Sequence, residues 1–224
     1  MPGSDAVKRT TLRSQIADAL REEVIAGRLP AGRQFTVKEI AESYGVSATP
    51  VREALLDLCS QGLLDVELHK GYRVREFSYT DFLAMMEARR MMFEGMFRHA
   101  IERAVNGAGP EVLASVRRRA DEAARAASAG ELDVLIGYDL RFWGEFAALV
   151  GNPYVAGFLA RVRVQSWVFM VPLLRRVPDL RGRLWRGHPE MVQALARRDS
   201  AEVMRLTLDY NDHALALIES LAGS

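Results

Sequence analysis

Along residues 10–77 the apolar spacing changes from helical to strand-like. Leu12, Ile16, Leu20 and Val24 recur every fourth position and predict a first helix. Thr10 or Thr11 opens it, it runs to about Ala26, and Gly27 sits where a left-handed residue ends helices. Residues 1–9 read as a loose tail. After the turn Leu29-Pro30-Ala31-Gly32, Thr36 with Glu39 three residues on is a capping-box pattern for a second helix ending at Tyr44-Gly45. Val51, Leu55 and Leu58 then form one apolar stripe on a third helix, from Ser47 to about Gln61, stopped by Gly62. Ser47 is expected to cap that helix by accepting a backbone N–H, and Pro50 is tolerable only in its first turn. Residues 63–68 and 72–77 mix apolar and polar positions as strands do, joined by His69-Lys70-Gly71 as a short hairpin with Gly71 at positive φ.

From residue 81 onward the pattern is helical throughout. Residues 81–105 read as one long helix carrying Met85, Met86, Met91, Met92 and Met96, a stripe for core or subunit contact rather than for a cofactor. Residues 106–110 break it. Further helices are expected over residues 110–127, 131–150, 153–171, 188–198 and 200–221, with Asn152-Pro153 as N-cap and first helical residue. Residues 172–187 are broken by prolines and glycines, with room for a short helix. This makes six main helices. Arg117-Arg118-Arg119 reads as a solvated face.

The totals narrow the class without deciding it. A chain of 224 residues, 49% hydrophobic and 26% charged, suits two globular domains. A single cysteine, Cys59, excludes a disulfide framework within one chain and fits a reducing, cytoplasmic setting. No stretch resembles a signal peptide or a membrane span, so no membrane partner is expected. Residues 1–77 hold 11 Lys/Arg and 11 Asp/Glu. Bulk charge therefore gives no argument for nucleic acid, and local clusters must carry it: Lys8, Arg9 and Arg13 at the start, Lys70, Arg73 and Arg75 at the hairpin.

A short helix, a glycine turn and a helix with a polar N-terminus (Ser47, Thr49, Arg52) match the way a helix-turn-helix meets a major groove. On spacing alone an ordinary buried helix hairpin fits as well. The stretches Pro30-Ala31-Gly32, Lys38-Glu39-Ile40-Ala41, Gly45-Val46-Ser47, Thr49-Pro50-Val51-Arg52-Glu53-Ala54-Leu55 and Gly62-Leu63 closely resemble the GntR family of bacterial winged-helix transcriptional regulators. The resemblance implies DNA binding through Lys38, Ser47, Thr49, Pro50 and Arg52, with Lys70 and Gly71 at the wing tip. Ala48 departs from the family, which usually has arginine there. Arginine paired to guanine is the commonest specific base contact, so readout at one base pair per half-site should change.

The helical half resembles the FCD effector domain of one GntR branch, on Glu87-Ala88-Arg89, Asp139-Leu140-Arg141-Phe142, Gly151-Asn152-Pro153, and His188 followed by Asp199. Many such domains hold a metal on one aspartate and three histidines. Asp139 and His188 match two of these. Residue 143 is Trp and the last-helix position is Tyr210, so two of four ligands are side chains that bind zinc or nickel poorly. His213, one turn past Tyr210, offers a residual set of Asp139, His188 and His213. The expectation is no cofactor, with Asp139 hydrogen-bonded to His188 inside a polar cavity. The resemblance then makes Arg89 the effector anchor, with Asp139, Trp143, His188 and Tyr210 around it. The pocket should be more aromatic and less cation-rich than a metal-bearing one. A surface ion pair of Arg89 with Glu87 or Glu94 is the competing account.

The reading is a mainly α protein. A winged helix-turn-helix of three helices plus a small β-hairpin spans residues 1–77. An all-α antiparallel bundle for effector binding and dimerisation spans residues 78–224. Its expected partners are a palindromic double-stranded operator, a second copy, and a small-molecule effector, a carboxylate. A constitutive DNA binder with a degenerate effector site is the alternative. A metal-dependent enzyme is disfavoured: His69, His99, His188 and His213 are scattered, and no Gly-rich phosphate loop appears.

Overall fold

The computed structural model describes residues 11–222, the side chains of residues 99, 101, 103, 104 and 222 excepted. Lys8, Arg9, Thr10 and the expected tail lie outside the described residues. Backbone contacts divide the chain into two compact units, one extending through Glu76 and one beginning at Phe77.

The first unit holds α1 (Leu12–Ile25), β1 (Gln34–Phe35), α2 (Val37–Tyr44), α3 (Ala48–Ser60), β2 (Leu64–Glu67) and β3 (Gly71–Val74). Thr11 caps α1 by accepting the Ser14 N–H at 3.3 Å. Thr36 and Glu39 form a reciprocal capping box on α2. Gly45, at φ +64°, ends α2 in the left-handed region and lets the chain turn at once into α3. Ile16, Leu20 and Val24 of α1 and Val51, Leu55 and Leu58 of α3 are buried together with Ile40 of α2. That apolar floor fixes the outward face of α3.

Two details depart from the sequence reading. Ser47 stands at the N-cap of α3 but its side chain makes no cap hydrogen bond. The hairpin gains a third strand: β1 pairs with β3, in the antiparallel order β1-β3-β2. Gly71 makes this possible. It sits at φ +98°, and a Cβ there would lie 2.4 Å from the Phe35 carbonyl oxygen, so only glycine admits β1 so closely.

The second unit holds α4 (Tyr79–His99), α5 (Ile101–Gly107), α6 (Pro110–Ala129), α7 (Leu132–Leu149), α8 (Pro153–Leu174), α9 (His188–Ala196) and α10 (Ser200–Ala222). Among the described residues these are seven helices rather than six, because the expected 81–105 helix breaks at Ala100, φ −139°. The bend returns Val105 to the core, where it is 4% exposed. The methionine stripe divides: Met85, Met86 and Met96 are buried, whereas Met91 is 62% exposed. Helix α8 runs through Pro172 to Leu174. A proline so near the C-terminus forfeits one hydrogen bond, and Leu174, 1% exposed, is buried in return. Residues 175–187 form turns, with no helix among them. Arg119 pairs with Glu145, while Arg117 and Arg118 are exposed. No helix among the described residues is long and apolar enough to cross a membrane.

Candidate functional site

Two places in the molecule gather polar chemistry on an apolar backing. The first is the start of α3. Ser47, Thr49 and Arg52 are exposed side by side, Pro50 is half-buried beneath them, and Val51, Ala54, Leu55 and Leu58 hold the opposite face at 0% exposure. Lys38 on α2 is exposed and lies 3.8 Å from Glu42, an ion pair too exposed to fix it. Lys70 is exposed in the hairpin turn, after His69 at φ +61°. Gly71 beside it faces Phe35, so its missing side chain serves the sheet. Arg73, placed by sequence in a basic cluster with Lys70, pairs instead with Glu67 across the hairpin at 2.8 Å. Arg13 is exposed on α1. The arrangement is a helix whose polar N-terminal turn projects outward beside a hairpin with a cation at its tip.

The second place is buried in the helical unit, around Asp139 of α7. Its carboxylate is 1% exposed and collects four partners. The Trp143 indole N–H donates to Oδ1 at 3.1 Å, and His188 Nε2 lies 3.1 Å from the same oxygen. The Trp167 indole N–H and the Tyr210 hydroxyl donate to Oδ2 at 3.0 and 2.9 Å. Burial alone would raise the pKa of this carboxyl. The His188 hydrogen bond and charge, Arg163 and the Trp167 N–H outweigh that and hold it below the usual carboxylate range. Tyr210 is pushed up, first by burial and then by the Asp139 charge.

Aromatic rings enclose this centre. The Trp143 and Tyr210 ring centroids are 4.7 Å apart, Trp185 and Tyr210 5.0 Å, and Trp185 and His188 4.6 Å. Behind them stand two buried guanidinium groups. Arg89 of α4 lies 5.0 Å from the Tyr210 centroid and 5.8 Å from Phe93. Arg163 of α8 lies 4.7 Å from Trp143 and 5.8 Å from Tyr210. The surface ion pair considered for Arg89 is absent: Arg90, not Arg89, reaches Glu94 and Asp212. Burial holds the Arg89 pKa down to about 10, Tyr210 partly offsetting it and Arg163 deepening it.

In front of Asp139 opens a small cavity continuous with solvent. Asp139, Trp167, His188, Tyr210 and His213 line it together with Trp185 and a wall of leucine and methionine. The expected polar cavity is thus mostly apolar. Of the residues read from sequence, Asp139, His188 and Tyr210 face this space, while Arg89 and Trp143 lie behind its wall. No arginine or lysine lines the cavity itself; Arg163 joins Arg89 behind it. Arg163 and Trp167 are missed by the sequence reading, although both lie on the buried stripe of α8.

The description of bacterial regulatory proteins of the gntR family fits residues 7–74, and that of the FCD domain fits residues 84–213. This chain belongs to the GntR family, in its FCD branch. Among its relatives, the "Probable D-xylose utilization operon transcriptional repressor" of Paenarthrobacter nicotinovorans is 41% identical over 86 residues, 38% of each chain. McbR of Escherichia coli K12 is 30% identical over 142 residues, 63% of this chain and 62% of that protein. The matched stretch thus spans less than two thirds of either relative. The repressor GlaR of the same organism is 29% identical over 219 residues, 92% of this chain and 95% of its own. The solved structure of E. coli McbR/YncC shares the fold, with a TM-score of 0.75 at 24% identity over 94% of this chain and 98% of that one. The families that match this chain are families of transcriptional regulators.

The metal that many FCD domains carry does not fit the donors present. Trp143 and Tyr210, where histidines would stand, bring an N–H and an O–H that both point at Asp139. Such groups donate to the carboxylate and offer a cation no lone pair comparable to an imidazole nitrogen. The residual set of Asp139, His188 and His213 is not assembled either, because His213 Nε2 bonds the Arg183 carbonyl at 2.8 Å. Among the described residues no group of three or more His, Cys, Asp or Glu could hold a metal ion.

Proposed function

We propose that this GntR–FCD regulator binds a palindromic DNA operator as a homodimer inside the cell and that a small organic acid in the helical unit modulates that binding. The single observation carrying the DNA reading is the polar, exposed N-terminal turn of α3 above a fully buried apolar face. Thr49 and Arg52 are the base-reading candidates. Ser47, whose hydroxyl is not spent on the helix, Lys38 and Lys70 are suited to phosphates, Pro50 shapes the turn, and Gly71 holds the wing. Alanine at position 48 leaves Arg52 as the one arginine in this stretch. A two-fold dimer implies a two-fold operator.

The sensor reading rests on the cavity in front of Asp139 and on the uncompensated cations behind it. An acid group has no place beside the Asp139 carboxylate and belongs with Arg89. Such a ligand changes operator affinity only as far as it binds one arrangement of the dimer better than the other. The test is to select genomic fragments bound by the purified protein and titrate one by fluorescence anisotropy with and without organic acids. A shift of about 5-fold or more in the midpoint is expected for at least one acid. Binding that no acid moves would favour the second reading, a constitutive regulator. The saturated hydrogen-bonding of Asp139 is the observation behind that reading.

A further inference from the structure

Nε and Nη2 of Arg89, and Nε and Nη2 of Arg163, are buried with no hydrogen-bond partner among the described residues. On a guanidinium these two nitrogens form the side-on fork that matches the two oxygens of a carboxylate. Buried polar groups are almost always paired, and a guanidinium so deep leaves its desolvation uncompensated. Here two are left open, on different helices, at 1% and 2% exposure. Both lie over one ring, that of Tyr210. The Tyr210 hydroxyl bears on Arg89, and Asp139, the buried carboxylate of the cluster, already takes four partners.

Apart from the His188 imidazole, the charged side chains at this place are two guanidinium groups and one carboxylate. One further negative charge balances them. Tyr210 is also the wall shared with the cavity, whose other sides carry Leu135, Met170, Leu174, Leu184 and Leu217. A ligand satisfying both halves has a single acid group and an apolar body. We infer that Arg89 and Arg163 form a two-arginine clamp for one carboxylate, and that the effector is an apolar monocarboxylic acid whose alkyl or aryl body occupies the leucine-lined cavity. The acid passes Tyr210 to reach the forks, which exchanges the Tyr210–Asp139 hydrogen bond for contacts with the ligand. Arg163 is the new residue in this assignment. The inference rests on the reading of the helical unit as a sensor and narrows what it senses.

The test uses the full-length protein without DNA and follows tryptophan emission, since Trp167 and Trp185 line the cavity. Sodium hexanoate and sodium benzoate are titrated beside succinate, citrate and inorganic phosphate at matched ionic strength. Saturable binding is expected for hexanoate or benzoate and not for the polyanions. Arg163→Met and Arg89→Met should each weaken it by about 10-fold or more, the scale of a lost charge-assisted fork. Arg163→Lys, which keeps the charge but not the fork, serves if the methionine variant does not fold, and should also bind about 10-fold more weakly. Unchanged hexanoate and benzoate affinity in these variants overturns the clamp. So does binding of citrate, succinate or phosphate in preference, or no saturation by any acid. Hexanoate binding that leaves operator affinity unmoved would sink the sensor reading and keep the clamp. Operator release by an acid whose affinity ignores Arg163→Lys would sink the clamp alone.

Discussion

Replacing Asp139 by asparagine removes one charge and nearly no volume, and its cost can be worked from the hydrogen bonds. The carboxylate serves four partners. An amide has one oxygen and an NH2 that can only donate. In the best arrangement its oxygen keeps Trp167 and Tyr210, and its NH2 faces His188 Nε2, which accepts if the imidazole moves its proton to Nδ1. The Trp143 indole N–H then meets another donor. An orphaned buried donor costs about 1–3 kcal/mol. Two bonds falling from charge-assisted to neutral cost about 1 kcal/mol together. Arg163 and Arg89 lose the one negative charge in their surroundings, a further penalty of about 1–2 kcal/mol, kept below the full cost of breaking a buried pair because neither is bonded to Asp139 directly. The total is about 3–6 kcal/mol, and for a protein of this size the melting temperature should fall by about 10–20 °C. All three tryptophans belong to the helical unit, so melting followed by their emission reports that unit alone. Asp139→Asn within about 1 kcal/mol of the parent would refute the hydrogen-bond reasoning. The gap should also close in acid. A carboxyl held below its ordinary range stabilises the fold above the unfolded value and ceases to do so as pH falls through the folded one. The two melting temperatures should therefore converge below about pH 4.

Other perturbations test other parts of the chain. Arg52→Ala should weaken operator binding by about 1–3 kcal/mol if Arg52 reads a base; unchanged affinity in a gel-shift titration removes it from the readout. Lys70→Ala should instead weaken all sequences alike and lower the slope of log affinity against log salt by about one. Gly71→Ala should cost at least about 2 kcal/mol, because the positive φ and the Phe35 carbonyl both oppose a Cβ; faster amide exchange in β1 and β3 is the readout. Thr36→Ala removes the acceptor of the α2 capping box and should cost about 1 kcal/mol in urea unfolding.

The winged half is legible because its signals are local. Thr36 with Glu39, Gly45 at positive φ and the Val51, Leu55, Leu58 stripe each act within one or two helical turns. What escapes there is β1, a two-residue strand whose existence depends on Tyr72 and Arg73, far along the chain. The break at Ala100 carries no glycine or proline and is set by where Val105 must go. In the helical half the decisive residues share a signature that helix extent alone conceals. Arg163 and Ser166 interrupt the buried stripe Leu159, Val162, Trp167, Met170, Val171 and Leu174. Arg89 interrupts Phe82, Met85, Met86, Phe93 and Met96. Asp139 interrupts Leu132, Leu135, Ile136, Phe142 and Phe146. A charge on an apolar stripe is the mark of a buried polar cluster, and counting three or four residues either way finds all three. Which of these charges meet, and that Trp143 turns its N–H onto Asp139, depends on packing between helices.

The pairing of Trp143 and Tyr210 with Asp139 has a bearing on how the regulator comes into service. A metal-dependent relative must be loaded before its pocket is complete, so its behaviour answers both to its metabolite and to the supply of an ion. Here the aspartate's coordination is completed by groups the chain itself carries, and it is ready as soon as folding ends. Treatment with a chelator should leave its melting temperature where it was.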